Sequence, residues 1–457
     1  MIGDLIVRPT GFTGLYGIVH AVRIADMERV RIVSLKGISR RQSAAIRAGQ
    51  MEAARVWTVC RDIHLAARQA HGKWPNRDAL QKATKGRFAL HAQSVQMITH
   101  AFLANVDTAQ QLRSHGLTKI RYPYKDKRFF PLMRPAQAMR VEEKRIVLPM
   151  GRGRPSLVIP RPEWLIGKSA CKVVWNGVHN ELHVSIEAAD MALTTGVTEK
   201  HATVDLGQIH QAAVVTNDGE AIVVSGRGIR SIKRLHSKQI GEIQKLRSRC
   251  RNGSRRWRKL GQARARRSLR HMRRVRDLRH KGTRQVIDFC KANGIEAIFI
   301  GNPDGVRRKD SGRHHNQRMS QWEYGKDIDY LQQKTEQDRI VCFTGDERGT
   351  SSRCPVCGHR HKPKGRNWRC KACGFEGHRD IVGAVNMHQI AYGQVVPFLK
   401  RITYLRPGSL RRSSSPDTGQ SCLAEARNQA PQVVCAGSLE HAHEPCVIAR
   451  SSPTLAG

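Results

Sequence analysis

Short apolar runs in the second half of the chain alternate with segments in which apolar residues recur every three or four positions. The runs predict buried β-strands, and the wider spacing predicts helices. Asn217-Asp218-Gly219 separates two of the runs and is typical of a β-hairpin turn. The predicted strands are His201 to Gly207, Gln211 to Val215, Ala221 to Val224, Ile295 to Gly301 and Arg339 to Thr344, and the predicted helices are Ser320 to Gln337 and a final helix that starts near Asp380.

The first 200 residues predict a second region of strands and helices. Two long segments with helical spacing, Arg40 to Ala70 and Asp78 to Leu112, lie among shorter segments with alternating polarity. We expect the helices to form a lobe inserted into a β-barrel. The predicted barrel strands are Leu5 to Val7, Arg29 to Val33, Ile146 to Pro149, Ser156 to Ile159, Cys171 to Trp175 and Leu182 to Ile186.

The net charge of the chain restricts its partners. The 457 residues include 80 Lys or Arg against 37 acidic residues, which gives a net charge of +43. Hydrophobic residues make up 39% of the chain, enough for folded cores. This charge implies a polyanionic partner, and nucleic acid is favoured because no apolar run is long enough to span a bilayer. We therefore expect no membrane partner and an intracellular, cytoplasmic and nucleoid-associated protein with reduced thiols.

Nearly half of this charge lies in residues 226–282. They contain 22 Lys or Arg residues against Glu242 and Asp277, with apolar positions at helical spacing. The pattern predicts two basic helices joined near Asn252-Gly253. A solvated charged face is the alternative, but charges of one sign repel each other and favour a surface that phosphates neutralise. The arginines predicted to contact nucleic acid there are Arg255, Arg256, Arg258, Arg266, Arg267, Arg273 and Arg274.

Four cysteines form the most specific chemical signal. Cys354-Pro-Val-Cys357 and Cys370-Lys-Ala-Cys373 are two C-x2-C knuckles separated by a short basic turn. Two such knuckles supply the four thiolates of a structural Zn2+ site, in which no coordination position is left open for catalysis. The sequence therefore predicts a zinc ribbon that serves as a scaffold.

The predicted elements after residue 199 follow the order three strands, helix, strand, helix, strand, helix. This is the order of an RNase H-like α/β domain, in which acids at strand ends and on the last helix converge on two divalent metals. Asp205 ends the first predicted strand, and Asp380 begins the last predicted helix.

Several motifs together resemble the TnpB family, transposon-encoded relatives of the type V CRISPR effectors. The motifs similar to its RuvC nuclease and zinc ribbon are Val204-Asp205-Leu-Gly207, the two cysteine knuckles, and Arg379-Asp380 followed by Asn386. The motifs similar to its amino-terminal half are Leu90-His-Ala-Gln-Ser-Val-Gln96, Tyr122-Pro-Tyr-Lys-Asp-Lys-Arg-Phe129 and Leu148-Pro-Met-Gly-Arg-Gly-Arg154.

The resemblance implies an RNA-guided DNA endonuclease that binds a guide RNA, recognises a short motif beside its target DNA and cuts with two Mg2+ ions. We expect a multidomain α+β protein that acts as a monomeric ribonucleoprotein. The predicted boundaries are a wedge β-barrel at 1–37 and 120–198, a helical recognition lobe at 38–119, a RuvC-like nuclease at 199–347 and 376–395, a zinc ribbon at 348–375 and a disordered tail at 406–457.

One departure from the family pattern concerns the metal site. TnpB proteins usually carry a glutamate at the end of the strand that follows the basic helices, whereas this chain has Gly301 there. Two aspartates alone hold two dications poorly, so either another acid replaces the glutamate or the nuclease is inactive. We predict Glu323 as the replacement, with Asp304 as the alternative. Asp205 would then bridge both metals, and Asp380 and Glu323 would each complete one coordination shell.

Aromatic and basic residues in the amino-terminal half add candidate nucleic-acid contacts. Rings beside cations can stack on bases or sugars, although Phe129 and Phe130 could equally fill the barrel core. The candidates are Tyr122, Tyr124, Lys125, Lys127 and Arg128, together with Arg152 and Arg154 in a Gly-Arg-Gly-Arg run.

Two other functions stay open on sequence grounds. A nuclease-dead, RNA-guided DNA-binding protein that acts as a repressor or targeting factor would explain Gly301. A DNA-strand transposase is the other, because RNase H-like transposases also use three acids, and it would need no RNA.

Overall fold

The computed structural model describes residues 28–187, 199–303, 306, 310, 312–361, 365–396, 399 and 401–408. The predictions for Leu5 to Val7, for Asp304 and for residues 409–457 lie outside these residues. The described chain divides into an amino-terminal half up to residue 187 and a carboxyl-terminal half from residue 199.

The amino-terminal half combines three helices with two small antiparallel sheets. Its elements are β1 (Glu28–Ser34), α1 (Arg40–Gln69), α2 (Arg77–Thr84), α3 (Ala92–Ser114), β2 (Leu132–Arg134), β3 (Arg140–Val141), β4 (Arg145–Leu148), β5 (Leu157–Pro160), β6 (Cys171–Trp175) and β7 (Asn180–Glu187). The sheets have the strand orders β1-β7-β6-β2 and β3-β4-β5. The described barrel strands are present as predicted, but they belong to two sheets.

The three helices share one core with these sheets. At the start of α1 the side chains of Ser39 and Gln42 each accept a hydrogen bond from the other residue's backbone amide, which satisfies two amides of the first turn. Trp57 of α1 and Phe102 of α3 are fully buried and pack with Leu132 of β2. The helical lobe is therefore inserted between β1 and β2 in the chain, and it shares its hydrophobic core with the sheets.

One predicted helix of this half is two helices in the structure. The segment from Asp78 to Leu112 is interrupted between α2 and α3. Gly86 in the interruption has a φ of +72°, a left-handed conformation that an α-helix cannot include. The apolar spacing continued across the break, so periodicity alone did not reveal it.

The carboxyl-terminal half is built around a six-stranded sheet. Its elements are β8 (His201–Leu206), β9 (His210–Thr216), β10 (Glu220–Ser225), α4 (Arg227–Ser248), α5 (Arg255–Ala292), β11 (Ala297–Asn302), α6 (Arg313–Gln321), α7 (Tyr324–Gln337), β12 (Val341–Asp346), β13 (Asn367–Arg369), β14 (Glu376–His378), α8 (Arg379–Tyr392) and β15 (Arg401–Leu405). The strand order is β12-β11-β8-β9-β10-β15. β8, β11 and β12 run parallel, and β9 is antiparallel to both of its neighbours.

Helices cover both faces of this sheet. One core includes Val286 of α5 and Leu331 of α7, and the core on the opposite face includes Ile381 and Met387 of α8. The predicted hairpin at Asn217-Asp218-Gly219 and the break between the two basic helices at residues 249–254 are confirmed. The burial of both faces explains why the central strands are continuous apolar runs.

Two features of this half differ from the predictions. The helix predicted from Ser320 to Gln337 is interrupted at Trp322, which is extended because its ring packs against the core beneath α7. Residues 401–405 form β15, which pairs in parallel with β10 and extends the sheet beyond the boundary predicted at residue 395. Pairing with a strand so distant in sequence leaves no signal in the local pattern.

The contact between the neighbouring parallel strands β11 and β12 allows a test of how tightly their side chains pack. A Cβ on Gly345 would lie 2.5 Å from Cζ of Phe299, too close without displacement of this partly buried ring. We expect Gly345→Ala to lower the free energy of unfolding by about 1 to 3 kcal/mol through overpacking. The measurement is the urea concentration at the unfolding midpoint.

The same substitution at Gly325 is the matched control. No atom of the described residues lies within 4 Å of a Cβ placed there, at the start of α7. Gly325→Ala should be neutral or stabilising by at most about 1 kcal/mol, because alanine favours helix. Equal midpoints for the two variants would contradict the packing at Gly345.

Candidate metal centre

The carboxyl ends of three parallel strands meet beside the start of α8. Register pairs Val204 with Ile300 and Gly301 with Gly345 across β8, β11 and β12. Neighbours in parallel register place their side chains on the same face, so Asp205 and any side chain at 301 or 345 would face the same way. That face is covered by α8, since the Thr203 hydroxyl donates a 2.8 Å hydrogen bond to the carbonyl oxygen of Ala384.

Glu347 occupies the space left by Gly301. It directly follows β12 and lies two residues beyond Gly345, hence on the same face of the sheet. A Cβ on Gly301 would come within 2.5 Å of Oε2 of Glu347 and of Sδ of Met387. The carboxylate absent from the end of β11 is therefore supplied in space by the adjacent strand.

Asp205 lies directly against α8. A Cβ on Gly383 would overlap its Oδ2 atom, so only glycine allows this approach. Gly383 is three residues after Asp380, which places both on one side of the helix. Asp205 is thereby brought between the start of α8 and the carboxyl group of Glu347.

The three acids influence one another electrostatically. Burial raises the pKa of Asp205 well above its usual value, and the negative charges of Glu347 and Asp380 raise it further. Burial raises the pKa of Glu347 to about 7, with a further contribution from Asp346. Oε2 of Glu347 is buried and has no hydrogen-bond partner among the described residues. Such a set of oxygen donors fits divalent cations, which would offset the repulsion.

Asp380 is held by a histidine and an arginine. His210 contacts its Oδ2 through Nδ1 at 2.7 Å, and Nη1 of Arg366 lies 2.7 Å from each carboxylate oxygen. Burial alone would raise the pKa of Asp380, but His210, Arg366 and His378 outweigh it and lower the pKa. Ligand atoms of His210, His378 and Asp380 lie within 4.8 Å of one another, so the imidazoles are further possible donors.

Asn386 anchors the segment that carries Glu347. Its side-chain amide donates to the carbonyl oxygens of Thr350 at 2.6 Å and Arg353 at 2.7 Å. The Thr350 hydroxyl in turn donates to the carbonyl oxygen of Glu347 at 2.8 Å. The asparagine of the family-like motif is thus a positioning residue that connects α8 to the glutamate.

Glu323 is not brought to the two aspartates. Its Oε2 accepts from Lys233 at 2.7 Å and lies 3.3 Å from Nη1 of Arg279, and Lys326 contacts its other oxygen. Burial would raise the pKa of Glu323, but these cations, Lys233 first, lower it to about 2. The acids whose charges contribute most to the raised pKa of Asp205 are Glu347 and Asp380. The residue predicted as a ligand instead joins α4, α5 and α7.

Sequence reasoning missed Glu347, although a signal existed. Thr344-Gly345-Asp346-Glu347 places two acids at the carboxyl end of a predicted parallel strand. Strand order across the sheet decides between Glu347 and the helix glutamate Glu323, and local sequence does not reveal that order.

The cysteine knuckles form a compact cluster of sulfur atoms. Sγ of Cys354 lies 3.7 Å from that of Cys373, and Sγ of Cys357 lies 3.5 Å from that of Cys370. Four thiolates about 2.3 Å from one tetrahedral ion would be separated by about 3.8 Å, so the cluster could hold zinc. Trp368 and Cys354 pack against Val382 of α8. The cluster therefore supports the helix that carries Asp380.

The predicted nucleic-acid contacts differ in their surroundings. The seven arginines of α5 are exposed, although Arg273 forms a 2.5 Å ion pair with Glu181 of β7. Arg128 and Arg152 are exposed as well. Tyr122, Tyr124 and Lys125 line one recess.

Two of the residues predicted to contact nucleic acid also make contacts within the amino-terminal fold. Nζ of Lys127 lies 3.3 Å from the ring centroid of Trp57, and burial lowers the pKa of this lysine. Arg154 is ion-paired with Glu52. Phe130 packs on Trp57, whereas Phe129 is exposed, so one ring of the pair fills the core.

Comparisons with known proteins agree with this geometry. A family described as "Probable transposase" matches residues 183–307, and a "Cas12f1-like, TNB domain" matches residues 324–387. Cas12f1, solved in a complex with sgRNA and target DNA, has a similar fold, with a TM-score of 0.55 and 13% identity over 76% of this chain and 83% of Cas12f1. The fold is thus a multidomain α+β fold of the Cas12f1 type.

Two proteins of similar sequence are described as TnpB-like. The TnpB-like protein ORF457 of Acidianus two-tailed virus is 26% identical over 204 residues, which are 44% of each chain. The TnpB-like protein MJ0751 of Methanocaldococcus jannaschii is 23% identical over 43% of this chain and 67% of that protein. Together with the family matches, these relatives show that the chain is similar to TnpB-like proteins. The match spans less than half of ORF457.

Within the part of the chain that the structure describes, no helix has the length and apolarity needed to cross a lipid bilayer.

The raised pKa of Glu347 predicts how stability depends on pH without magnesium. Folding raises this pKa from 4.5 to about 7, so the folded state loses stability as the pH rises from 4.5 through 7. Glu347→Gln removes that cost. We expect this variant to melt at a higher temperature than the wild type at pH 8 in magnesium-free buffer, with the difference shrinking towards pH 5.

Thermal denaturation of zinc-loaded protein without chelator measures this difference. Glu376→Gln is the control, because that side chain is 54% exposed and lies in the cysteine region. It should not change the melting temperature. A pH-independent effect of Glu347→Gln would show that burial does not raise the pKa of this carboxyl group.

The ion pair between Arg366 and Asp380 predicts that this arginine weakens Mg2+ binding. Its guanidinium contacts both oxygens of Asp380 and competes with any cation there. Because its side chain is 38% exposed, the ion pair contributes at most about 1 kcal/mol. Arg366→Ala should lower the Mg2+ concentration for half-maximal thermal stabilisation by up to about fivefold.

Arg369→Ala provides the comparison for this experiment. Arg369 pairs with Glu376 in the same segment, away from Asp380, and its loss should leave the Mg2+ dependence unchanged. A Mg2+ dependence that Arg366→Ala does not alter would mean that the arginine does not compete for this carboxylate.

Proposed function

We propose that this chain is a transposon-associated, RNA-guided DNA endonuclease that hydrolyses target DNA at a centre formed by Asp205, Glu347 and Asp380. The observation that carries the proposal is that these acids meet at one edge of the six-stranded sheet. Glu347 takes the place of the glutamate that the family usually carries at the position of Gly301. Gly301 is therefore no argument for an inactive nuclease.

The partners follow from similarity and charge. TnpB-like relatives and the fold of Cas12f1, solved with sgRNA and target DNA, favour a guide RNA and a DNA target. The exposed arginines of α5 would bind phosphates along a guide–target duplex, which base pairing rather than protein contacts would specify.

We assign two Mg2+ ions to the acidic centre. When bound, they would activate water and stabilise the leaving oxygen of the phosphodiester. Asp205 lies between the other two acids and would contact both ions, while Glu347 and Asp380 would each contact one. His210 holds the carboxylate of Asp380 in place through its 2.7 Å contact. The segment fixed by Asn386 would hold Glu347 in the same way.

We assign a structural Zn2+ to the four cysteines. Its role would be to hold residues 353–378 against α8, so that Arg366 and His378 stay beside Asp380. The other units would be the RuvC-like nuclease around the six-stranded sheet, the recognition lobe of α1 to α3, and the wedge of the two amino-terminal sheets.

Two glutamate variants test this proposal. The protein is purified with its guide RNA and incubated with Mg2+ and matching target DNA. We expect Glu347→Gln to reduce cleavage by more than about 100-fold, a larger loss than removal of an outer-shell partner, while target binding stays intact. Glu323→Gln should retain cleavage, since its partners are Lys233, Lys326 and Arg279.

The alternatives predict different products. Cleavage lost in Glu323→Gln but retained in Glu347→Gln would return the ligand role to Glu323. Target binding by the wild type without cleavage in Mg2+ or Mn2+ would favour a nuclease-dead targeting protein. Strand joining without RNA would favour a DNA-strand transposase.

A further inference from the structure

A recess at the end of the helical lobe has the composition of an anion site. It has a volume of about 1120 Å³ and lies where the ends of α1 and α3 meet the segment that leads to β2. We call it the arginine recess. Its cationic lining residues are Arg68, Arg113, Lys119, Arg121 and Lys125.

Among the described residues, no carboxylate lines the recess, and none of its five cations forms an ion pair. The neighbouring Asp126 pairs outside the recess, with Arg61. Cations gathered without counter-charge repel one another and favour a bound polyanion.

Aromatic rings fix the guanidinium groups in place. The Cζ atom of Arg68 lies 4.6 Å from the ring centroid of Tyr122, and that of Arg113 lies 5.6 Å from it. Tyr122 stacks on Tyr124 at 5.7 Å, and the Tyr124 hydroxyl is 2.9 Å from Nδ1 of the buried His64. Nη1 of Arg113 also donates to the carbonyl oxygens of Thr118 at 2.7 Å and Ile120 at 2.8 Å, so this arginine shapes the wall of the recess. The guanidinium of Arg68, supported by the ring, can present N–H groups to phosphate oxygens.

We infer that the arginine recess binds an unpaired stretch of polynucleotide, with phosphates on the cations and a base or sugar against the tyrosines. This inference rests on the proposed function, because the guide RNA or displaced DNA would supply the strand. The concave shape selects an unpaired strand, since a duplex presents a convex backbone with its bases enclosed. RNA and DNA share the chemistry that the recess recognises.

Binding of short labelled strands by the full zinc-loaded chain tests the inference. The probes are fluorescein-labelled U12 RNA, dT12 DNA and a 12-base-pair RNA duplex, measured by anisotropy over a range of salt concentrations. Arg68→Ala/Arg121→Ala should weaken single-strand binding by about tenfold. It should also lower the salt-dependence slope by about 1.4, the value for two phosphate contacts.

The controls separate the recess from the basic helices. Arg55→Ala/Lys82→Ala removes two exposed cations of the same lobe outside the recess and should alter neither quantity. Duplex affinity should change less than about twofold in the recess variant, because α5 would bind duplex. Lys119→Ala/Lys125→Ala repeats the test should the first variant misfold, as judged by circular dichroism.

Each outcome decides the inference. Loss on U12, on dT12 or on both supports it and identifies the source of the strand. Unchanged single-strand binding, or an equal loss on the duplex, overturns it. RNA-guided DNA cleavage by the wild type is measured separately. If the wild type cleaves DNA but the recess variant binds single strands as tightly as the wild type, this inference is refuted and the proposed function is not.

Discussion

Repulsion among the carboxyl groups of Asp205, Glu347 and Asp380 is the constraint on which the rest of the site depends. Enclosing three acids in one place is unfavourable unless cations or protons compensate. The surroundings supply part of that compensation. Arg366 and His210 contact Asp380, and the charges of Arg379 and Arg366 oppose the rise in the pKa of Asp205. Among the described residues, Oε2 of Glu347 has no hydrogen-bond partner, and burial raises the pKa of this carboxyl group to about 7.

A residue that follows β12 can replace the missing glutamate of β11, because the carboxyl ends of these neighbouring parallel strands lie at the same edge of the sheet. A carboxylate can reach the same point from either strand if the intervening side chain is removed, and Gly301 removes it. The position of the acid in space, rather than its position in the chain, determines whether a metal can be held. Asn386 and Thr350 then fix the backbone from which Glu347 extends.

The positive charges of the chain have two physical roles. Lys127, Arg154 and Arg273 are held by aromatic rings or acids and stabilise the fold. The ion pair of Arg273 with Glu181 also connects α5 to the amino-terminal sheet. The other predicted arginines of α5 and the cations of the arginine recess form no ion pair with a carboxylate of the described residues, and their mutual repulsion favours phosphate binding.

The sequence by itself determined the elements of the nuclease-like half, the cysteine cluster, and two of its three central acids. Strand hydrophobicity, turn residues and C-x2-C spacing act over a few residues, so they can be read without a fold. Tertiary structure alone decided that Glu347 meets Asp205, that Glu323 joins three cations, and that β15 extends the sheet. These outcomes depend on lateral strand order and register, which bring together residues that no local pattern connects.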